Sequence, residues 1–250
     1  MSAILSPVRS ERDEEVVTLW LDRPERGNAL GPDLVEALEQ EFGKAVATGA
    51  RLIVLRGSGR HFCTGLDLSD LDAISDGDLA LRVIRIEILL QAIHAAPVTT
   101  LAVGNGRIFG AGADLFAVCD HRIAIEEARL SFPGPAFGLV LGTGRLAGLV
   151  GDCTARALLL KGKALDARTA LSIGLATEVL PPESVAAALE AARHDATRLD
   201  AETVAMLHRR TRRADDAADL AALARSVARP GLKERVQRYR ARVLAERGTG

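Results

Sequence analysis

Short apolar strands that each run into a glycine-bearing turn are the feature that most constrains the fold of this chain. Two such strands are predicted at residues 51–56 and 98–103, and each is followed directly by a Gly-x-Gly turn. A continuous apolar run of this length is typical of a strand buried on both faces of a parallel sheet. Further short strands are predicted at residues 15–21, 122–125 and 176–180. Amphipathic or apolar helices are predicted between the first three strands, at residues 34–46 and 79–96. The alternation predicts an α/β fold.

The last quarter of the chain has a different pattern of predicted secondary structure. After Pro181 and Pro182, four segments are predicted to be helical, with no strand between them: residues 184–199, 201–212, 216–227 and 232–246. A length of 250 residues leaves room for one large domain or two small ones. We therefore predict an α/β core over residues 1–195 and a helical C-terminal region over residues 196–250.

Composition excludes several classes of protein. The 32 Lys and Arg residues balance 33 Asp and Glu residues, so no net field favours nucleic acid. The basic run at residues 208–213 is interpreted as a solvated helix face, because two aspartates follow it. No apolar stretch approaches a membrane span, and the N-terminus lacks the pattern of a signal peptide. We expect a cytoplasmic protein without membrane or nucleic-acid partners.

No metal site is expected from the cysteines and histidines. The three cysteines, Cys63, Cys119 and Cys153, are odd in number and too widely spaced for a metal knuckle. The five histidines show no ligand spacing either. We interpret the cysteines as reduced thiols, as in a reducing compartment.

The two glycine-bearing loops are the best candidates for chemistry. The first covers residues 61–68 and the second covers residues 104–114, each after a predicted buried strand. A loop that opens into a helix directs free N–H groups outward, and one from each loop could bind a developing oxyanion. Glycines in loops are also common for purely structural reasons, and on the loops alone that interpretation stays open.

In order along the chain, these loops and their neighbours resemble the crotonase (enoyl-CoA hydratase/isomerase) superfamily. The segments that carry the resemblance are Asp22-Arg23-Pro24, Asn28-Ala29-Leu30, Phe62-Cys63-Thr64-Gly65-Leu66-Asp67-Leu68, Gly104-Asn105-Gly106, Gly110-Ala111-Gly112-Ala113-Asp114-Leu115, Cys119-Asp120-His121-Arg122-Ile123-Ala124, Gly138, Gly142-Thr143-Gly144, Leu149-Val150-Gly151, Ala170 and Gly174-Leu175-Ala176. The match runs from about residue 15 to the end, with the helical region agreeing only in pattern.

The resemblance implies a spiral of ββα turns with a helical C-terminal trimerisation region, as a homotrimer or a dimer of trimers. It implies an acyl-CoA thioester as substrate, with coenzyme A as part of that substrate and no separate cofactor. The backbone N–H groups of Leu66 and Ala111 match the family's oxyanion donors. Fixed N–H donors suit a thioester oxygen that gains negative charge.

Further substrate-binding residues follow from motif position. Gly65, Asp67 and Gly110 flank the two donors, whereas Phe132 and Gly134 belong to a segment that, with Pro133, Pro135 and Phe137, would form an apolar acyl pocket. Arg26 matches a basic residue that contacts the CoA phosphates. Tyr239 and Arg242 resemble the family's aromatic and basic pair that reaches a neighbouring subunit's CoA. Surface solvation is the alternative interpretation of Arg26, Tyr239 and Arg242.

Two departures from the family pattern bear on the reaction. Typical hydratases carry two catalytic glutamates, but this chain has Asp114 at the first position and Gly134 at the second. Asp114 is thus the single candidate acid–base residue, and its place at a helix start predicts an ionised carboxylate. We expect an enoyl-CoA hydratase/isomerase-like enzyme. The alternatives are a crotonase-type decarboxylase, a C–C lyase, a thioester hydrolase and a catalytically silent acyl-CoA-binding protein.

Overall fold

Two β-sheets organise the computed structural model, which describes residues 6–212 and 215–248. The strands are β1 (Val8–Asp13), β2 (Val16–Leu21), β3 (Leu52–Gly57), β4 (Thr99–Gly104), β5 (Arg107–Phe109), β6 (His121–Ile125), β7 (Arg129–Ser131), β8 (Leu165–Asp166) and β9 (Glu178–Leu180). The larger sheet has the order β1-β2-β3-β4-β6-β9, and the smaller has the order β5-β7-β8. All neighbours in the larger sheet are parallel except β1 and β2.

Helices cover both faces of the larger sheet. They are α1 (Pro32–Ala47), α2 (Asp76–His94), α3 (Ala111–Ala117), α4 (Thr143–Val150), α5 (Asp152–Lys161), α6 (Ala167–Ser172), α7 (Val185–Arg198), α8 (Ala201–Thr211), α9 (Asp216–Val227) and α10 (Leu232–Gly248). Because side chains alternate along a strand, Ile53 and Leu55 of β3 enter the main core, whereas Leu52 and Val54 face the cluster that contains Val185 of α7.

The chain winds between the two sheets as a spiral of ββα turns. After each central strand of the larger sheet it crosses to a second layer, which contains β5 and β7. Isolated bridges join Leu30 to Leu66 and Cys63 to Ile108, and they extend this layer across the two glycine-bearing loops. A helix then returns the chain to the larger sheet. The second layer therefore brings together the loops that follow successive strands.

A third apolar cluster lies where the C-terminal helices meet the core. Val83 of α2, Leu139, Leu223 of α9 and Val236 of α10 are all buried in it. The carboxylate of Asp76 also accepts bonds from the backbone N–H groups at the start of α10, at 3.1 and 2.8 Å. The helical region therefore packs beside α2 and forms one wall of the space above the second layer.

The structure confirms the predicted α/β class and the four C-terminal helices. Helix α2 begins three residues earlier than predicted, because Ser75 and Asp78 form a reciprocal capping box. The predictions omitted β1, which is largely exposed, and also β5, β7 and β8, which have three residues or fewer. Such strands are too short for a periodic signal.

The predicted boundary between residues 195 and 196 falls inside α7, and a division there stays a prediction. The basic run at 208–213 begins at the end of α8, where Arg209 and Arg210 are exposed, and its last residue lies outside the described part. Among the described helices, none is long and apolar enough to cross a membrane.

The close contact between α3 and the first glycine-bearing loop gives a stability prediction. A Cβ at Gly112 would lie 2.5 Å from the carbonyl oxygen of Cys63 and 2.7 Å from its Cβ. We expect Gly112→Ala to lower the free energy of unfolding by about 1–3 kcal/mol, because overpacking forces backbone shifts. Urea unfolding followed by far-UV circular dichroism measures the change.

Gly43→Ala is the matched control, since Gly43 also lies in a helix and no atom surrounds its missing Cβ within 4 Å. This substitution should raise the free energy of unfolding by up to about 1 kcal/mol through helix propensity. Equal urea midpoints for the two variants would contradict the proposed packing of α3.

Candidate active site

The two glycine-bearing loops meet edge to edge in the second layer. The N–H of Phe109 donates to the carbonyl of Cys63 at 2.9 Å, and the N–H of Leu30 donates to the carbonyl of Gly65 at 2.7 Å. The first loop is therefore held between the segment after β2 and strand β5. These backbone bonds fix the orientation of the peptide groups that follow Gly65.

Only glycine fits at the contact between the loops. Gly65 has a φ of +98°, and a Cβ there would lie 2.8 Å from the carbonyl oxygen of Phe109 and 3.6 Å from the nitrogen of Ala111. Gly110 has φ +55° and ψ −130°, which is a conformation that side chains with a Cβ rarely adopt. The two glycines thus allow the backbone at Leu66 to approach the start of α3.

The backbone N–H groups of Leu66 and Ala111 lie at this junction. The N–H groups of Ala113 and Asp114 both donate to the carbonyl of Gly110, at 2.7 and 3.1 Å. In the described part of the chain, no protein acceptor takes the N–H of Leu66 or of Ala111. Both residues line one cavity, so a ligand oxygen there has two backbone donors within the same space.

The cavity has a volume of about 230 Å³ and is mainly apolar. Its lining residues include Leu66, Leu68, Val83, Ile86, Phe132, Pro133, Leu139 and Leu141. Gly65, Ala111, Gly110, Gly134 and Tyr239 also line it, so seven of the ten predicted substrate-binding and oxyanion positions line one cavity. The walls come from both loops, from α2 and from the segment after β7.

Asp114 places one carboxyl group in this apolar cavity. It follows Ala111 by three residues on α3, is only 7% exposed, and lines the cavity. Within the described residues its carboxyl accepts no hydrogen bond from the protein. Loss of hydration raises the pKa of Asp114 to about 8, even though the positive charge of Arg145 opposes the rise.

The expectation that Asp114 is ionised was wrong. It assumed that the positive end of a helix would stabilise the carboxylate, but α3 has only seven residues and the carboxyl lies in an apolar space. The negative charges of Glu87 and Asp219 raise its pKa further. At neutral pH the carboxyl is therefore mainly protonated, so it has a proton to donate.

A buried charged cluster beside Asp114 was not predicted. Arg145 of α4 donates two hydrogen bonds to Glu87 of α2, at 2.8 and 2.6 Å, and one to Asp219 of α9, at 3.4 Å. Glu87 is 0% exposed, and it also accepts a bond from Gln91 at 2.7 Å. A single glutamate inside the apolar sequence of α2 was the available signal, since such a residue needs a buried partner.

Gly142 lies next to both Asp114 and this cluster. It begins the turn before α4 with a φ of +60°. A Cβ at Gly142 would lie 2.6 Å from Oδ1 of Asp114 and 3.6 Å from Nη2 of Arg145. The carboxyl and the guanidinium are therefore both close to the backbone of Gly142.

Aromatic and basic residues surround the mouth of the cavity. The rings of Phe137 and Tyr239 lie 5.0 Å apart, and the guanidinium of Arg242 lies 5.6 Å from the Tyr239 ring centre. Arg229 and Arg238 line an adjoining depression of about 480 Å³ with the same tyrosine. Tyr239 lines this chain's own cavity, whereas the family resemblance implied that it reaches a neighbouring subunit.

Arg26 and Asp67 lie beside the first loop and are not among the described residues that line the cavity. Arg26 donates to the Ser69 hydroxyl at 2.6 Å, and one of its nitrogens lies 3.7 Å from the Asp67 carboxylate. Asp67 also accepts the N–H of Ser69 at 2.9 Å. These contacts stabilise the loop after Leu66, and they leave the phosphate-binding role of Arg26 a prediction.

The described residues provide neither an ionised thiol at Cys63 nor a cluster of metal ligands. Burial raises the pKa of the Cys63 thiol to about 12, so this side chain packs as an apolar group. Residues 6–212 and 215–248 contain no group of three or more His, Cys, Asp and Glu side chains placed to hold a metal ion.

Comparison with known proteins finds the family. Residues 11–230 match the model of the enoyl-CoA hydratase/isomerase family. The chain is 41% identical over 169 residues to a probable enoyl-CoA hydratase from Mycobacterium tuberculosis, covering 66% of this chain and 68% of that protein. It is 37% identical over 183 residues to a probable enoyl-CoA hydratase from Rhodobacter capsulatus, covering 70% and 68%.

A solved structure agrees over nearly the whole chain. The crystal structure of a candidate enoyl-CoA hydratase/isomerase from Bordetella parapertussis superposes with a TM-score of 0.92 at 45% identity, covering 94% of this chain and 98% of that one. The protein belongs to the enoyl-CoA hydratase/isomerase family. The crotonase fold and the class of acyl-CoA-processing enzymes predicted from the sequence are thereby confirmed.

In this enoyl-CoA hydratase/isomerase family member, the buried carboxyl of Asp114 makes stability depend on pH. The pKa of an aspartate in an unfolded chain is about 3.9, whereas that of Asp114 is raised to about 8 in the folded protein. Between these pH values the folded state holds a proton that the unfolded state has lost. The free energy of unfolding therefore falls as pH rises from about 4 to about 8, and no further above that.

Asp114→Asn removes this cost, because the amide cannot ionise. We expect the variant to melt at a higher temperature than the wild type, and the gain in Tm to grow by about 5 °C or more between pH 5 and pH 8. Thermal unfolding by circular dichroism at several pH values measures it. Asp70→Asn is the control. Arg82 lowers the pKa of Asp70, so this carboxylate is ionised in both the folded and the unfolded protein from pH 5 to pH 8, and the effect of the substitution on Tm stays constant. A constant effect for both variants would contradict a protonated Asp114.

Proposed function

We propose that this protein binds an acyl-CoA thioester with its carbonyl oxygen at the N–H groups of Leu66 and Ala111, and that Asp114 is the single acid–base residue. One observation carries the proposal: a buried carboxyl group and two backbone N–H groups, none of them hydrogen-bonded to another described residue, line the same apolar cavity. Loops that serve only to connect strands do not require that combination.

The chemistry follows from charge development on the thioester oxygen. When water adds to the β-carbon of an enoyl thioester, electrons move onto that oxygen and form an enolate. Each backbone N–H directed at the oxygen stabilises this state by about 3–4 kcal/mol. The protonated Asp114 then gives its proton to the α-carbon, and the resulting carboxylate takes a proton from the added water.

The surroundings of the cavity favour an apolar acyl group on a polyanionic carrier. Leu68, Val83 and Ile86 provide an apolar interior, where a charged acyl end would lose its hydration. Arg229, Arg238 and Arg242 at the mouth provide positive charge for phosphate groups. Coenzyme A thioesters combine these two chemical properties.

The second family carboxylate is absent, which limits the reaction. Gly134 lines the cavity at the position where the family pattern has a glutamate. Hydration by Asp114 alone should therefore be slow. Chemistry that needs only one acid–base group remains as the alternative, namely decarboxylation, C–C cleavage or thioester hydrolysis, and so does silent binding of acyl-CoA.

We also propose a homotrimer or a dimer of trimers in the cytoplasm. Large apolar side chains such as Ile88 on α2 and Met206 on α8 are 45% and 50% exposed in the single chain, which suits burial between subunits. The cysteines of the described residues are free thiols, as expected in a reducing compartment. Light scattering on the purified protein measures the oligomeric state directly.

Crotonyl-CoA hydration, followed by loss of the enone absorbance, tests the function. Asp114→Asn should lower kcat by about 10²-fold or more, since general acid–base catalysis contributes that much. Calorimetry with the same variant should show CoA-thioester binding close to that of the wild type. Equal turnover by both proteins would remove Asp114 from the mechanism.

The other outcomes separate the alternatives. Binding without turnover in either protein directs the assay to β-keto and dicarboxyl CoA thioesters, and inactivity on those would establish a silent binder. No binding of any CoA thioester would overturn the proposed function.

Restoring the missing carboxylate is a second test. A Cβ at Gly134 would have only Leu139 as a neighbour, at 3.7 and 3.8 Å, so a side chain fits there. We expect Gly134→Glu to raise the rate of crotonyl-CoA hydration by about tenfold or more, because a second group then positions the water. Gly134→Ala is the matched control and should leave the rate unchanged. An equal effect of both substitutions would show that the added carboxylate does not cause the change in hydration rate.

A further inference from the structure

Arg145 is a buried cation close to the acid–base residue, yet it makes no ion pair with it. Its ion pairs within 4.0 Å, in the described part of the chain, are with Glu87 and Asp219. Both Nη atoms are directed at the two oxygens of Glu87, at 2.8 and 2.6 Å. This bidentate geometry is the strongest arrangement available to a guanidinium and a carboxylate.

No residue in the described ranges forms a hydrogen bond or an ion pair with the Asp114 carboxyl. This carboxyl and the guanidinium of Arg145 are both close to the backbone of Gly142. The charged groups that act on Asp114 come from three helices: Glu87 from α2, Arg145 from α4 and Asp219 from α9. If Glu87 did not hold Arg145, the nearest carboxyl group available to this buried cation, besides Asp219, would be that of Asp114.

We propose that Glu87 is a positioning residue for Asp114: by binding Arg145 on both nitrogens, it keeps the guanidinium away from the cavity and leaves the Asp114 carboxyl free to face a substrate. The role rests on the proposed function of Asp114. Its consequence is that the carboxyl stays protonated, because the positive charge that would favour the carboxylate is matched by Glu87 and Asp219.

The cluster has a second feature that agrees with a positioning role. Asp219 also accepts the N–H of Gly144 at 3.1 Å, at the beginning of α4. A Cβ at Gly144 would lie 2.6 Å from that carboxylate, so α9 approaches the backbone of α4 closely. Arg145 is thus fixed by contacts from α2 on one side and from α9 on the other.

A mutant cycle that needs no substrate tests the proposal. The gain in Tm from Asp114→Asn, measured from pH 5 to pH 9, reports the ionisation of Asp114. With Glu87 present, this gain should grow with pH up to about 8. In the Glu87→Gln background Arg145 keeps only Asp219 as an ion-pair partner, and its guanidinium can turn towards Asp114. The gain should then stop growing one to three pH units lower, as expected for a carboxyl beside a cation.

A second pair of variants separates charge from packing and covers the case in which Glu87→Gln fails to fold. Replacing both partners, with Glu87→Leu and Arg145→Met, removes the ion pair without leaving a buried charge unpaired. In that background the gain in Tm from Asp114→Asn should keep growing up to a pH at least as high as in the wild type.

The outcomes are decisive in either direction. The proposal would be overturned if the gain in Tm from Asp114→Asn depended on pH in the same way in the wild-type and Glu87→Gln backgrounds. It would also be overturned if this gain stopped growing at a lower pH in the doubly substituted background than in the wild type. Because unfolding is measured without substrate, failure of crotonyl-CoA turnover would not affect the result. If turnover is observed, the alkaline limb of its pH profile should move down in Glu87→Gln and stay in place in the double variant.

Discussion

The site depends on the backbone contact between the loops that follow β3 and β4. Gly65 lies so close to the carbonyl of Phe109 and the nitrogen of Ala111 that no side chain fits between them. This contact sets the separation of the two N–H donors, and it fixes where α3 begins. Since α3 carries Asp114 one turn later, the same contact also positions the Asp114 carboxyl relative to the two N–H groups. A parallel sheet makes the contact possible, because its successive strands end at the same edge.

Desolvation outweighs every charge interaction at Asp114. A carboxyl at the start of a helix usually gains from the helix dipole, by about 0.3–1 kcal/mol. Removal from water, which is the largest contribution to its raised pKa, is a larger effect, and Glu87 and Asp219 act in the same direction. The buried acid therefore lowers the free energy of unfolding at neutral pH. Such a cost is common where a residue is retained for function.

Local backbone requirements could be predicted from the sequence, and long-range contacts could not. Gly65 and Gly110 were identified as loop positions because glycine-bearing segments follow the two predicted buried strands, and the structure gives both a positive φ. Asp114 was placed beside the donors by its motif position in the family resemblance, and in the structure it lies three residues after Ala111 on α3. The partners of Arg145 lie 58 and 74 residues away in sequence, on helices whose packing no local pattern encodes. Hence the position of Asp114 was predicted, whereas its protonation state was not.

The short side chain of Asp114 and the bare backbone of Gly142 are complementary. Oδ1 of Asp114 lies 2.6 Å from the place where a Cβ on residue 142 would stand, so the carboxyl occupies space that any other residue would fill. Gly142 adopts φ +60°, which further restricts the position to glycine. An alanine there would have to displace the carboxyl or shift the backbone at the start of α4. The location of the acid is therefore set by three glycines, at positions 65, 110 and 142, more than by any partner of the carboxyl itself. Close packing against the backbone, rather than a hydrogen bond, thus holds the Asp114 carboxyl in the apolar cavity. Its proton is therefore available to a ligand bound there.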